Sequence, residues 1–250
     1  MHPLLDDAAL AERYFFPRWM PLPDPFIVPV AGAELHCWRS PPRPGAPVLL
    51  HFHGNGEVVG EYVARIAPAW IRAGFDLVLA EYRGYGGSTG TPALASMLDD
   101  VPKIVDALAV PPEDLFVYGR SVGSLYAIEA AHRFGAIRGL VLESGIADLL
   151  ERLRLRLTAD ELGATEAELE AAVRARFDHG AKLRGYSGPL LVLHASDDDL
   201  VDVSHAERNH ASAGGADKQL VTFARGGHNG LLAYNWPRYV ETLGAFFSAR

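Results

Sequence analysis

The chain has 250 residues, 49% of them hydrophobic and 22% charged, a globular composition with length enough to bury a sizeable core. Its 23 basic and 31 acidic residues leave a net charge of −8, and it shows no basic stripe of the kind a nucleic-acid or anionic-membrane partner would need. Cys37 is the only cysteine, which excludes an intrachain disulfide and fits a reducing compartment. The opening MHPLLDDAALAERYFF has neither the basic start nor the long apolar run of a secretory signal. No stretch reaches the roughly 18 apolar residues of a spanning helix, so the expectation is a cytoplasmic protein without stable membrane insertion.

In chain order, Ile27 to Val30 and Glu34 to Arg39 read as a first pair of strands. Continuous apolar runs follow: Val48 to Phe52, Leu77 to Ala80, then those within EDLFVYG, IRGLVLESG and SGPLLVLHASD, and finally Gln219 to Phe223. Runs of four to six apolar residues suit strands buried on both faces, as in a parallel sheet. Helical patterns alternate with them. Leu94, Met97, Leu98, Val101, Ile104, Val105 and Leu108 keep helical spacing, with Pro102 predicting a kink or a late start. Ser124 to Phe134 is a second helix, and NWPRYVETLGAFFSAR a last one with Pro237 near its first position and Val240, Leu243, Phe246 and Phe247 on one face. The alternation predicts one doubly wound α/β domain over residues 1–250. Residues 148–184 break the rhythm: they are charged and helical, and Thr165-Glu-Ala-Glu168 reads as a capping box opening a helix through about Phe177. This segment is expected to be a small helical cap.

The chemistry-bearing stretch is YGRSVGS. Ser121 has Gly119 and Gly123 two residues to each side, a strand run before it and a helix pattern after it. A serine on a sharp strand-to-helix turn needs small residues at those positions, because the turn crowds its neighbours. A serine hydroxyl also needs a base and an orienting acid. His228, in the loop ARGGHNG after the last strand run, supplies the base. Asp197, Asp198 and Asp199 follow the fifth buried run and are all candidate acids, with Glu143 a weaker one. His53-Gly54-Asn55-Gly56 ends the strand run at Phe52 and is the candidate loop for backbone donors to an oxyanion. The pair His51 and His53 invites a metal reading, but no further ligands follow at metal-site spacing. His53 is read as a prop of the oxyanion loop, His51 and His194 as structural. GYGGSTG lacks the pattern of a phosphate or dinucleotide cradle and is read as a tight turn beside the pocket. Tyr82 and Tyr85 would be pocket walls with Gly54 and Gly56, Arg83 would anchor that turn, and Arg120 would point away from the pocket.

With HGNG at 53–56, EYRGYGGSTG at 81–90, GRSVG at 119–123 and the aspartate and histidine loops in this order, the chain resembles the α/β-hydrolase superfamily. YRGYGGSTGTP and YGRSVGS are especially similar to the small intracellular α/β-hydrolase-domain group, which includes Bem-like hydrolases and protein depalmitoylases. The resemblance runs from about Phe16 to Phe247 and is weakest at 148–184. It implies an eight-stranded sheet and a Ser121–Asp198–His228 triad. Asp198 is the aspartate matching the family box H-G-x-x-D-x-x-V, with Ala195 in place of its glycine. It further implies an oxyanion hole from the N–H groups of Asn55 and Val122. The implied activity is hydrolysis of a small-molecule ester or thioester without metal or organic cofactor. The same machinery also serves amidases, peptidases and acyltransferases, and some members of the fold are silent ligand-binding proteins.

Overall fold

The central apolar runs become strands because helices on both faces take up their side chains, while the edge strand at Lys218–Phe223 buries only Phe223 fully. The computed structural model describes residues 3–250, and its strands are β1 (Phe26–Val30), β2 (Ala33–Arg39), β3 (Val48–Phe52), β4 (Asp76–Ala80), β5 (Leu115–Arg120), β6 (Gly139–Glu143), β7 (Leu190–Ala195) and β8 (Lys218–Phe223). They form one eight-stranded sheet in the order β1-β2-β4-β3-β5-β6-β7-β8. β1 pairs antiparallel with β2, and β2 antiparallel with β4; every other pairing is parallel.

The helices are α1 (Ala8–Tyr14), α2 (Val59–Arg65), α3 (Ala67–Arg72), α4 (Leu94–Leu108), α5 (Gly123–Phe134), α6 (Leu149–Arg154), α7 (Glu166–Phe177), α8 (His179–Arg184), α9 (Ser204–Ser212), α10 (Leu231–Tyr234) and α11 (Trp236–Ser248). Side chains alternate across the sheet, so Val48, Leu50 and Phe52 enter a core shared with α4, α5 and α8, while Leu49 packs toward α3 and α11. Both cores are anchored by buried aromatic residues, Tyr126 on the first side and Phe116, Phe246 and Phe247 on the second.

Three expectations change. Of the kink or late start expected at Pro102, the late start does not occur: α4 starts at Leu94 and runs through the proline. Its inward-facing Leu98, Val101 and Val105 are buried on both sides of the proline, and that packing outweighs the lost backbone bond. On α11 the inward residue is Tyr239 and not Val240, which is 44% exposed, because the Tyr239 hydroxyl is drawn to Glu143 in the sheet. The third change concerns 148–184, which divides. α8 packs on α5 and α9 as part of the sheet-flanking layer, tied by Lys182 to Glu129 at the Nζ–Oε2 pair. The stretch between α6 and α7 instead meets the N-terminal segment: Arg13 pairs with Glu161 at 2.7 Å, and the Arg156 guanidinium lies 5.7 Å from the Phe16 ring centre.

The fold places one crevice. After β3 the chain crosses to β4 on one side, and after β4 it returns to β5 on the other side of β3. Such a reversal leaves the carboxyl ends of the two central strands without a covering crossover, the usual place for a ligand in an open α/β sheet. Phe52 and Gly119 are in register across β3 and β5, so the loops at Asn55 and Ser121 leave the sheet side by side.

Candidate active site

Ser121 sits with Val122 between the end of β5 and the start of α5, with φ at +52°. A non-glycine residue in this left-handed region costs about 1 kcal/mol or more and persists only where its surroundings impose it. The flanking glycines show what imposes it. A Cβ at Gly123 would stand 2.2 Å from the Phe52 carbonyl oxygen, and one at Gly119 would stand 2.6 Å from the Ala127 Cβ. The turn therefore closes only with glycine at both places. Ser121 N–H donates to the Glu143 carbonyl at 2.9 Å, and the Ser124 hydroxyl donates to the Ser121 carbonyl at 2.6 Å.

The side chain of this strained serine meets a histidine. Ser121 Oγ lies 2.8 Å from His228 Nε2, and His228 Nδ1 lies 2.9 Å from Asp198 Oδ2. All three residues are buried, although 107 and 30 positions separate the members of the two pairs. Of the three consecutive aspartates, only Asp198 turns its carboxylate to His228. Asp197 accepts from the N–H groups of Gly226 and Gly227 and so braces the histidine loop, while Asp199 is exposed. Burial pushes the Asp198 carboxyl up, but hydrogen bonds from His194 and His228 and the nearby imidazole charge outweigh it. Together with the N–H of Val201 they hold Asp198 well below the usual carboxylate range. His194, read from sequence as structural, thus touches the same carboxylate, 3.3 Å away at Nε2, while also meeting the Val201 carbonyl at 2.7 Å. Glu143 is not placed for that role: it takes the hydroxyls of Tyr118 and Tyr239 and faces Arg120.

The HGNG loop is held from behind by the N-terminal segment, by Glu57 and by the tyrosines of the 81–90 turn. The Asn55 side chain is fully used. Its Nδ2 donates to the Tyr14 carbonyl, and its Oδ1 accepts from Phe16 N–H at 3.0 Å and the Tyr85 hydroxyl at 2.7 Å. Its backbone N–H, like that of Val122, finds no acceptor among the described residues. Gly54 N–H is taken by Glu57 Oε2 at 2.6 Å, and Gly56 turns with φ at +75°. Tyr82 and Tyr85, expected as pocket walls, are buried pillars instead, 4% and 1% exposed. Tyr82 donates to the His53 carbonyl at 2.7 Å, and the Tyr85 hydroxyl is spent on Asn55. Arg83 grips Asp100 with two bonds of 2.6 Å, fixing the glycine turn.

Two buried ion clusters complete the frame. His53 Nδ1 faces the Gly54 carbonyl at 2.8 Å and Nε2 faces Glu81 at 2.7 Å. Both partners are acceptors, so the ring must carry both protons to satisfy them. Burial would lower its pKa, but the Glu81 carboxylate prevails and raises it. The partners of Arg120 are Glu57 Oε1, Glu143, the His228 carbonyl at 2.8 Å and Asn229 Oδ1 at 2.9 Å. One guanidinium therefore ties the HGNG loop, the sheet and the histidine loop together. Sequence spacing offered no signal for Glu57, Glu81 or Asn229, since their partners lie far along the chain.

Comparison with known proteins adds kinship to this geometry. The family model described as serine aminopeptidase, S33, matches residues 43–161. The α/β hydrolase domain-containing protein 17C of Xenopus laevis is 25% identical over 225 residues, which cover 87% of this chain and 67% of that protein. The human protein of the same name is covered over 57% of its length, so the chain spans only part of these curated relatives. Among solved structures, Est1E of Butyrivibrio proteoclasticus, with ferulic acid bound, superposes with a TM-score of 0.73 at 17% identity, over 90% of this chain and 98% of that one. The Pyrococcus furiosus esterase Pf2001 gives 0.71 at 16% identity, over 90% and 91%. With its eight-stranded, mostly parallel sheet and these likenesses, the chain has the α/β-hydrolase fold and is similar in sequence to α/β-hydrolase proteins.

Proposed function

We propose that the chain is a serine hydrolase that cleaves small-molecule carboxylic esters or thioesters through an acyl-enzyme. The observation that carries this reading is the continuous chain Ser121 Oγ–His228–Asp198, with spacings of 2.8 and 2.9 Å, mounted on a serine at positive φ. His228 Nε2 takes the hydroxyl proton as Oγ attacks the acyl carbon. Asp198, held ionised by its hydrogen bonds, fixes the imidazole tautomer and balances the imidazolium that forms. The unoccupied N–H groups of Asn55 and Val122 are the donors for the developing oxyanion, and losing one such donor costs about 2.7–4 kcal/mol in the transition state. His228 then returns the proton to the departing alcohol or thiol. A water, deprotonated by the same imidazole, releases the acid and restores Ser121. The chemistry calls on no metal or organic cofactor, and the chain's acidic charge fits a cytoplasmic enzyme with small-molecule partners.

The test is intact-mass analysis after exposure to a fluorophosphonate, on wild type and on Ser121→Ala. One adduct on wild type and none on the variant is the expected result, with ester turnover lost in the variant while its circular dichroism is unchanged. A panel of p-nitrophenyl esters, thioesters and p-nitroanilides then separates esterase from amide chemistry. Near-wild-type esterase rates in Ser121→Ala would refute the assignment.

A further inference from the structure

A well-formed cavity lies away from Ser121. It encloses about 590 Å³ between α3 and α11, on the sheet face opposite to α4 and α5. That volume falls within the roughly 300–1,000 Å³ of small-molecule sites. Its nearest approach to the reactive side chains is through Arg120 and Asn229, the neighbours of Ser121 and His228 in sequence. Trp70, Phe75, Leu243 and Phe247 form an apolar, largely aromatic body, and the mouth carries Trp236 and Val240, which are 53% and 44% exposed.

The inner end is polar and carries one unused group. His51 lines the cavity and is only 6% exposed, stacked on Tyr118 with ring centres 4.9 Å apart. Its side chain has no hydrogen-bond partner among the described residues. Burial pushes its pKa down to about 3, so the ring is neutral and offers one N–H donor and one bare nitrogen. The charged groups around it are engaged with one another. Glu57 accepts from Arg120, Tyr62 and Gly54 N–H, while Glu143 accepts from Tyr118 and Tyr239 and faces Arg120. Three carboxylates, of Glu57, Glu61 and Glu143, stand in the wall against the two guanidiniums of Arg65 and Arg120, which disfavours an anion. No carboxylate is left unpaired at the inner end to hold a cation.

We infer that this cavity is a second ligand site, for an uncharged small molecule with a planar apolar body and a terminal hydroxyl. A hydroxyl can either donate or accept, so it can bond the His51 nitrogen that it meets whichever tautomer the ring holds, and the planar body packs on the apolar wall of Trp70, Leu243 and Phe247. This inference does not depend on Ser121 being reactive, since binding is read without turnover.

The test is calorimetric titration of the full chain with 2-naphthaleneethanol, and with 2-naphthaleneacetate as its anionic analogue. One saturable site for the alcohol is expected, with the anion weaker by about tenfold or more. His51→Phe keeps the stacked ring and should weaken the alcohol by about tenfold, the loss of one hydrogen-bonding anchor. Ala69→Trp fills the slot from α3, and Gly244→Trp fills it from α11, where a Cβ meets no atom within 4 Å. Each should abolish binding and leave ester turnover unchanged, and either one that folds suffices. Protein blocked at Ser121 by fluorophosphonate should bind the alcohol as tightly as before. Absence of saturable binding overturns the inference. So do wild-type affinity in a folded filling variant, equal affinity for the anion, unchanged affinity in His51→Phe, or loss of binding in the blocked protein.

Discussion

Arg120→Met is the perturbation whose outcome follows most directly from the structure. The guanidinium is 11% exposed and faces Glu57 and Glu143, whose side chains are 25% and 7% exposed. Removing it strands two carboxylates in a largely dry site. Breaking a buried ion pair from one side costs about 3–5 kcal/mol, and the quarter of Glu57 still in water argues for the lower end, about 3 kcal/mol. For a chain of this size that is a fall of about 6–12 °C in Tm. The sign with pH is also determined. In wild type Glu57 is buried, but Arg120 and the Tyr62 hydrogen bond hold it below its ordinary value. It therefore contributes stability above about pH 4.3 that is lost as pH falls through its folded pKa. In the variant the buried Glu57 carboxyl loses the charge that lowers it and should be raised, so the penalty develops as pH climbs above about 4.3, and the gap between the two proteins should narrow on acidification. Because Arg120 also holds the His228 carbonyl and Asn229, turnover of an ester such as p-nitrophenyl acetate should fall by about 10–100-fold as the histidine loop loosens. The assays are thermal unfolding between pH 5 and 8 and steady-state kinetics. Adding Glu57→Gln and Glu143→Gln should recover most of the stability and little of the turnover. A variant as stable as wild type at pH 7.5, or a triple variant no better than the single one, would refute the reasoning.

Asp198→Asn should leave the fold intact and lower kcat/KM for esters by about 10⁴-fold, measured by steady-state kinetics, because the amide cannot favour the required imidazole tautomer. Since wild-type Asp198 lies well below the carboxylate range, its contribution to stability should begin to decline as pH falls below about 3.9 and be lost only as pH falls on through the depressed folded value, so the acid unfolding curves of the two proteins should draw together progressively below that pH. Gly123→Ala should destabilise by about 1–3 kcal/mol or more in urea unfolding and abolish fluorophosphonate labelling, because its Cβ would sit 2.2 Å from a backbone oxygen. Glu81→Gln should remove a pH dependence of stability that wild type shows. His53 is raised by Glu81, so its contribution is full below about pH 6.5 and is lost as pH rises through the folded value, a slope visible in unfolding at pH 6–9.

Sequence patterning alone determined which segments are strands of the sheet and the turn where a side chain needs special backbone. Continuous apolar runs are strands because only burial on both faces tolerates them, and all six runs became parallel-sheet strands. Gly119 and Gly123 declared the turn at Ser121 because the crowding there is local, within a few residues and the adjoining strand. Where periodicity was ambiguous by one position, as between Tyr239 and Val240, a distant polar partner on β6 decided which residue turned inward. The rest of the site was decided by contacts that join segments far apart in the chain. Glu57 meets Arg120 across 63 positions, His53 meets Glu81 across 28, and Tyr118 meets Tyr239 across 121. Tyr82 and Tyr85 look like pocket walls in a string of residues, yet packing turns their hydroxyls onto the HGNG loop. Of three equivalent aspartates, the turn after β7 aims one carboxylate at His228 and another at the amides beneath it. Such choices are invisible in sequence because buried charge and hydrogen-bond satisfaction are settled between elements only once the sheet has brought them together.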